Sequence, residues 1–401
     1  MEFNIVHEVI LYGFVVALVM GALVNKTNFC TMGAVSDWVN MGKKGRLYAW
    51  LFAISIALAG ALILEVMGVL SLSSTLPPYR TANFAWLRYL LGGFMFGIGM
   101  TLAGGCGNKT LVNIGGGNLK SLFVLVVLAY FAYLMTKTEF YAVAFHGWIN
   151  YVTIDLAVHG IESQSLSHIM AGLFGLEDNK TLHLILGAAM VLGILWLILR
   201  SQQFYKNFNN VLGGLAVGLA VLACWYITGG SMGQEAMEVA DFMDEPPEGV
   251  GVQSYTFISP AGAILHYLNY PTDYSLITLG MMAIVGVIVG SLLYALISRR
   301  FSFVWFSSWS DFFKHLIGGI LMGIGGVLSM GCTIGEGITG VSTLALGSML
   351  VVVSIVFGSA LTMKIQMYKM CYEDAGIIEV IQTALVDLRL LPKSMRKLEE
   401  V

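Results

Sequence analysis

The sequence predicts an all-α polytopic membrane protein, and three observations carry that expectation. The 401 residues are 57% hydrophobic and 11% charged, with a mean hydropathy of +0.79, whereas a soluble domain carries about 25% charged residues. Nine mostly apolar runs, near 6–25, 47–70, 84–103, 119–136, 182–200, 208–228, 275–298, 312–330 and 343–362, have the length that crosses a bilayer. Two segments, LLGGFMFGIGMTLAGGC (90–106) and LIGGILMGIGGVLSMGC (316–332), agree without a gap at nine of seventeen positions.

The first run has no preceding Lys or Arg, so it lacks the basic region of a cleavable signal peptide and is expected to stay as a span. If the nine spans alternate, one side receives Lys26, Lys43, Lys44, Arg46, Lys109, Lys120, Arg200, Lys206, Arg299, Arg300, Lys314 and the six basic residues from Lys364 onward. The other side receives Arg80, Arg88, Lys137 and Lys180. This split of 17 against 4 places the N-terminus outside and the tail in the cytoplasm under the positive-inside rule. A net charge of -3 with scattered basic residues offers no footprint for nucleic acid.

The duplicated segment marks an internal repeat. A weaker match sets 13–33 beside 212–233, so spans one to four and six to nine read as two halves joined by the fifth span. One intervening span makes the second half enter from the opposite face, giving an inverted repeat, an architecture that places substrate at interrupted helices within the membrane. The expected organisation is one transmembrane domain over 1–363, with repeat one about 5–136, a linker and fifth span 137–204 and repeat two about 205–363, followed by a tail, 364–401.

The stretches after Cys106 (GNKTLVNIGGGN) and Cys332 (TIGEGITGVST), and NFCTMGAVSDWVNMG from Asn28 to Gly42, are too polar and Gly-rich to continue a span, yet too apolar for ordinary loops. They read as re-entrant segments, tolerated at membrane depth only when packed in protein or lining a cavity. Under the expected orientation Cys30 and Cys106 approach from inside and Cys332 from outside. Three thiols along one passage, beside helix N-termini that supply backbone N–H donors, suit an anion, especially one carrying sulfur.

Lys109 and Glu336 flank these cysteines, and ionisable groups within a membrane segment point to function by default. Asn28, Gly105, Asn108, Gly331 and Thr333 complete the candidate set. Cys224 and Cys371 read as filler and tail residues, and Glu65 is a weaker candidate. The stripe GGFMFGIGM reads as helix packing through Gly92, Gly93, Gly97 and Gly99. With neither a CxxC pair nor an HxxxH spacing, and without GxxxxGK[ST], the sequence predicts no metal and no cofactor. The 137–181 segment reads equally as a surface amphipathic helix or as another re-entrant element.

NFCTMGA, LAGGCGNKTLVNIGGGNLKSL and SMGCTIGEG resemble the signature segments of the YeeE/YedE family of bacterial inner-membrane sulfur-compound transporters, which includes thiosulfate uptake proteins. The resemblance covers about 10–135 and 208–363. It implies an hourglass-like, channel-like transporter of nine spans plus short re-entrant helices, through which thiosulfate passes along three cysteines by S–H hydrogen bonds. Cys30, Cys106 and Cys332 match those positions. It also implies a TusA-like sulfur carrier as a cytoplasmic partner, or a selenium compound as an alternative cargo. The run GCGNKT departs from the GCTSGHG-like run of some relatives. Two rival readings are a membrane thiol protein relaying sulfane sulfur through a cysteine persulfide and a soft-metal transporter with Cys and Met ligands.

Overall fold

The computed structural model describes residues 5–175, 179–243 and 246–399; residues 244–245 of the acidic 235–249 stretch and 400–401 of the tail lie outside the described residues. The chain is all-α: α1 (Ile5–Thr27), α2 (Thr31–Met41), α3 (Gly45–Val66), α4 (Trp86–Leu102), α5 (Gly107–Gly115), α6 (Leu119–Lys137), α7 (Gly147–Tyr151), α8 (Leu166–Phe174), α9 (Asn179–Leu199), α10 (Gln202–Tyr205), α11 (Phe208–Gly229), α12 (Ser231–Asp241), α13 (Ile258–Asn269), α14 (Leu279–Ile297), α15 (Trp309–Leu328), α16 (Leu346–Cys371) and α17 (Ile377–Asp387). Extended structure among the described residues consists of two two-stranded pairings and two isolated bridges, Asn118 with Val304 and Ser165 with Ala345.

Nine of these helices, α1, α3, α4, α6, α9, α11, α14, α15 and α16, are long and apolar enough to cross a membrane, so the protein is a multi-pass membrane protein. They coincide with the nine expected spans except at the last, where α16 runs through Lys364 to Cys371. The tail then turns back. In α17 Asp387 pairs with Lys364 at 3.4 Å, accepts from the Tyr368 hydroxyl at 2.8 Å and meets Arg396, which ties the tail to α16.

The spans pack backbone to backbone through glycine, as expected where apolar side chains gain little from leaving lipid for protein. Helices α4 and α15 cross with their chains antiparallel. A Cβ at Gly92 would stand 2.8 Å from the Gly325 carbonyl oxygen, and one at Gly99 would stand 2.7 Å from that of Gly318. On its other face α4 meets α16, where a Cβ at Gly97 would lie 2.3 Å from the Ile355 carbonyl oxygen; α15 likewise meets α6 through Gly319 and Gly323. A second pair of contacts joins α1 to α14 and α3 to α11, again through glycines: Gly286 and Gly290 on the α1 backbone, Gly214 and Gly218 on that of α3. The expected packing role of the glycine stripe is what the helix crossings display. The fifth span, α9, is the least buried of the nine and packs on α3.

The linker between α6 and α9 is a chain of short surface elements. A π-helical turn at Ala142–His146 leads into α7, Ile154–Asp155 pairs with Asn83–Phe84, and α8 follows. Ile149 is buried and the Trp86 indole donates to the Val152 carbonyl at 2.9 Å, while Val143, Trp148 and Tyr151 are exposed. This segment therefore caps the start of α4 with an apolar outer surface. Helix α13, which the hydrophobic pattern did not signal, packs on α6. Its length of 12 residues is too short to span a membrane.

Because Gly97 has a backbone carbonyl where a side chain would go, Gly97→Val is expected to lower the unfolding temperature of the detergent-solubilised protein by several degrees, overpacking costing about 1–3 kcal/mol. Gly193→Ala, with nothing within 4 Å, is expected to leave it unchanged. Thermal unfolding followed by size-exclusion chromatography checks both, and equal melting of the two variants would contradict the packing described.

Candidate substrate site

Each of the three candidate cysteines stands where a helix begins or restarts. Cys30 is the N-cap of α2, and its sulfur accepts from the Gly33 N–H at 3.4 Å. Cys106 is the N-cap of α5, without a side-chain hydrogen bond to the helix. Cys332 precedes a π-helical segment, Gly335–Gly340, and its sulfur accepts from the Gly335 N–H at 3.5 Å. At Cys30 and Cys332 the sulfur meets the N–H three residues on, as a Ser or Thr cap does. With its lone pair engaged by the backbone, the S–H proton is left to point elsewhere.

The fold brings these caps together. The thiols of Cys30 and Cys106 lie against each other, and the Thr333 side chain and Thr31 N–H close on Cys106. A Cβ on Gly107 would stand 3.7 Å from the Cβ of Cys332 and 4.0 Å from its sulfur, so the third thiol adjoins the start of α5. All three cysteines are buried. Around them Thr31 Oγ1, Asn108 Oδ1 and Thr333 Oγ1 are buried without a hydrogen-bond partner within the protein. Thr31 and Thr333, with Trp50 and Gly337, also border a small gap between α2, α3 and α16. Buried polar atoms normally find partners, and leaving one unpaired costs about 1–3 kcal/mol. This cluster has spare hydrogen-bonding capacity for a polar ligand.

Glu336 follows Cys332 inside the segment from 331 to 345, every residue of which is buried. Neither carboxylate oxygen has a partner. Gly331 admits it: a Cβ there would lie 3.3 Å from the Glu336 Cγ. The Tyr79 hydroxyl donates to the Gly335 carbonyl at 2.9 Å and holds the π-helical turn. Burial, with Glu336 and Cys332 nearby, raises the Tyr79 phenol well above its ordinary value, so it stays a donor. Arg88 donates to the Leu328 and Val327 carbonyls at 2.7 and 3.1 Å, capping the end of α15 just before the break.

Lys109 and Asn28 occupy the rim. The Lys109 ammonium donates to Asn28 Oδ1 at 2.7 Å, and Asn28 is an exposed turn residue with φ +54°, a conformation Asn tolerates better than most. Gly105 is buried close against the Lys109 side chain. Of the sequence-nominated residues, Cys30, Cys106, Cys332, Asn108 and Thr333 thus form one cluster, Glu336 and Gly331 adjoin it, and Asn28 and Lys109 mark an edge. Glu65 lies apart, paired with Arg80 at 2.8 Å and with His183 at 3.1 Å. Cys224 packs away from the cluster, its sulfur 3.8 Å from the Gln253 carbonyl, and Cys371 is exposed. Sequence reasoning missed Thr31, Trp50, Tyr79 and Ser348. For Thr31 a signal existed: CTMG (30–33) and CTIG (332–335) repeat the cysteine cap with its N–H donor.

The fold defines a multi-pass helical membrane protein whose interrupted helices converge on a buried, partly unsatisfied thiol cluster, and its family is one of transporters. The family described as sulphur transport matches residues 26–361, and the chain belongs to it. The chain is also 25% identical over 352 residues to the thiosulfate transporter TsuA of Escherichia coli (strain K12), covering 82% of this chain and 87% of that protein. It is 25% identical over 357 residues to the thiosulfate transporter TsuA of Spirochaeta thermophila, covering 86% of this chain and 96% of that one.

The burial of the cluster predicts a labelling order. In the folded protein, maleimide is expected to modify Cys371 rapidly and Cys30, Cys106, Cys224 and Cys332 slowly, with all five modified in denaturant. Intact-mass spectrometry against time reads the order, and fast labelling of Cys106 would contradict a closed interior.

Proposed function

We propose that this protein takes up thiosulfate or a related sulfur-containing anion across the bacterial inner membrane, along Cys30, Cys106 and Cys332. The observation that carries the reading is the convergence of three cysteines, each where a helix begins or restarts and two with the sulfur engaged by a backbone N–H, on one buried polar cluster. Thiosulfate is a dianion. A thiolate in its path would repel it, whereas a thiol donates a hydrogen bond to it, and several weak donors in series hold an ion without trapping it. Asn108, Thr31 and Thr333 add polar contacts, and Lys109 at the rim draws the anion out toward the side on which Cys30 and Cys106 open.

The reading extends to topology. The basic residues favour an N-terminus outside and a cytoplasmic tail. The reciprocal pairing of α4 with α15 and of α1–α14 with α3–α11 supports reading the two halves as an inverted repeat about the cluster. Lys109 then faces the cytoplasm, where a TusA-like carrier would collect the sulfur. A selenium analogue of the anion presents similar acceptors, so it is expected to compete.

The test is uptake of sulfane-labelled thiosulfate in cells lacking other thiosulfate and sulfate importers, at matched membrane expression. Replacing Cys30, Cys106 or Cys332 by Ala removes a donor to a charged group, worth about 1.5–3 kcal/mol, so each variant is expected to lose roughly tenfold or more in uptake. Cys224→Ala is expected to transport normally. Normal uptake by all three cluster variants would refute the thiol path.

A further inference from the structure

The proposed path accounts for the thiols but leaves a carboxylate unexplained. Glu336 is fully buried, both its oxygens lack a hydrogen-bond partner, and it forms no ion pair among the described residues. An ionised carboxylate stranded this way is strongly disfavoured, and such a group takes up a proton instead. Protonated, it becomes a donor beside Cys332, the first thiol an anion entering from outside would meet.

The fixed positive charge that bears on it, the Arg88 guanidinium, forms no ion pair with it among the described residues. On α4, the Arg88 guanidinium is committed to the Val327 and Leu328 carbonyls and to the face of Tyr141, 5.6 Å from the ring centre. Tyr89 is bonded to Gln164 at 3.0 Å. From the loop after α3, Tyr79 donates to the Gly335 carbonyl. Helices α3 and α11 bring the neutral Trp50 and Trp225, the latter donating to Ser342 at 3.1 Å. Cys332 precedes it in the same segment. From α16 comes Ser348, whose hydroxyl, like Glu336 Oε2, points at the bare Cα of Gly340: a Cβ there would be 2.4 Å from the hydroxyl and 2.9 Å from the carboxylate. Beyond Ser348, Gln164 Oε1 is buried and unpartnered, and Gln164 connects through its backbone to Thr81 in the loop. Neutral groups, the Ser348 hydroxyl near Gly340 and the Gln164 amide near Gly347, thus stand between the loop and the carboxyl.

We propose that Glu336 is a proton-binding site that couples passage of the sulfur anion to movement of a proton in the same direction. A proton from the outer aqueous phase forms the O–H bond of the carboxylic acid. That acid donates to the anion as it reaches Cys332, and the O–H bond breaks as the anion moves on, the proton leaving to cytoplasmic water. No electrons move, and one proton accompanies each anion. The coupling rests on the proposed function, because it needs a moving anion.

The test uses the purified full-length protein in liposomes, with the membrane potential clamped by potassium and valinomycin. Thiosulfate accumulation and internal pH are read together, with and without an acid-outside gradient. One coupled proton raises the steady-state accumulation of thiosulfate by about tenfold per pH unit, and thiosulfate addition acidifies the lumen. In Glu336→Gln the ratio of accumulation with the gradient to that without is expected to fall to about one, whatever the absolute rate, while Glu336→Asp keeps the gradient response. Wild-type acidification needs no variant to fold. Thiosulfate movement without acidification and without gradient response in the wild type would overturn the coupling alone. A gradient-driven Glu336→Gln would overturn the assignment to this residue, and a wild type that moves no thiosulfate under any gradient or in exchange would overturn the functional reading and the coupling together.

Discussion

A helix interrupted inside a membrane leaves backbone N–H and C=O groups without partners, each at a cost of several kcal/mol in hydrocarbon, and the whole architecture follows from how this chain meets that cost. At the start of α2 and at Gly335 a cysteine sulfur accepts one orphan N–H. At the end of α15 the Arg88 guanidinium takes two orphan carbonyls, and at the π-helical turn Tyr79 takes another. These partners serve only if the broken ends are held in protein and away from lipid. The close glycine crossings of α4 with α15 and α16 hold them there, since a methyl group at Gly92, Gly97 or Gly99 would strike backbone atoms of the neighbour.

The same constraint links structure to the proposed transport. Cap positions are where free donors gather, so a chain that breaks several helices at one depth concentrates hydrogen-bonding capacity there. A dianion entering a cell meets a second difficulty, because each charge moved against the membrane potential costs about 2.3 kcal/mol per 100 mV. Thiols lower the first barrier without adding negative charge. They do nothing about the second, and the buried carboxyl of Glu336 is the group in the described structure suited to it. The π-helical turn that carries Glu336 is a rare conformation found mostly at functional sites, and here it aims the carboxyl at Ser348 and Gly340 while leaving Cys332 beside Gly107.

Much of this was legible in the sequence because the bilayer imposes a length on apolar runs that little else imitates. The nine spans, the glycine stripe and the duplicated cysteine segment all follow from local pattern. The cluster's core was legible too, since Cys106 and Cys332 close duplicated helices. What escaped was set by tertiary packing. Tyr79 and Ser348 sit in a loop and in an ordinary apolar helix, and only the fold delivers them to the π-helical turn. Helix α13 is too short and too mixed in character to stand out from its loops. Within the 137–181 segment the described residues 137–175 form a series of short helices and turns pinned by Ile149 and Trp86, a pattern without one period. Glu65, a weaker candidate in the sequence, lies apart from the cluster, where Arg80 and His183 pair with it.

The central claim is that a sulfur anion passes through the cluster where Cys30, Cys106 and Cys332 converge. The most direct measurement is an experimental structure of the protein with selenosulfate bound, the selenium located by its anomalous scattering. The account predicts selenium within hydrogen-bonding reach of Cys106 or Cys332, beside Thr333 and Asn108. Selenium found only at the Lys109 rim or elsewhere on the protein, with the cluster unchanged, would contradict it.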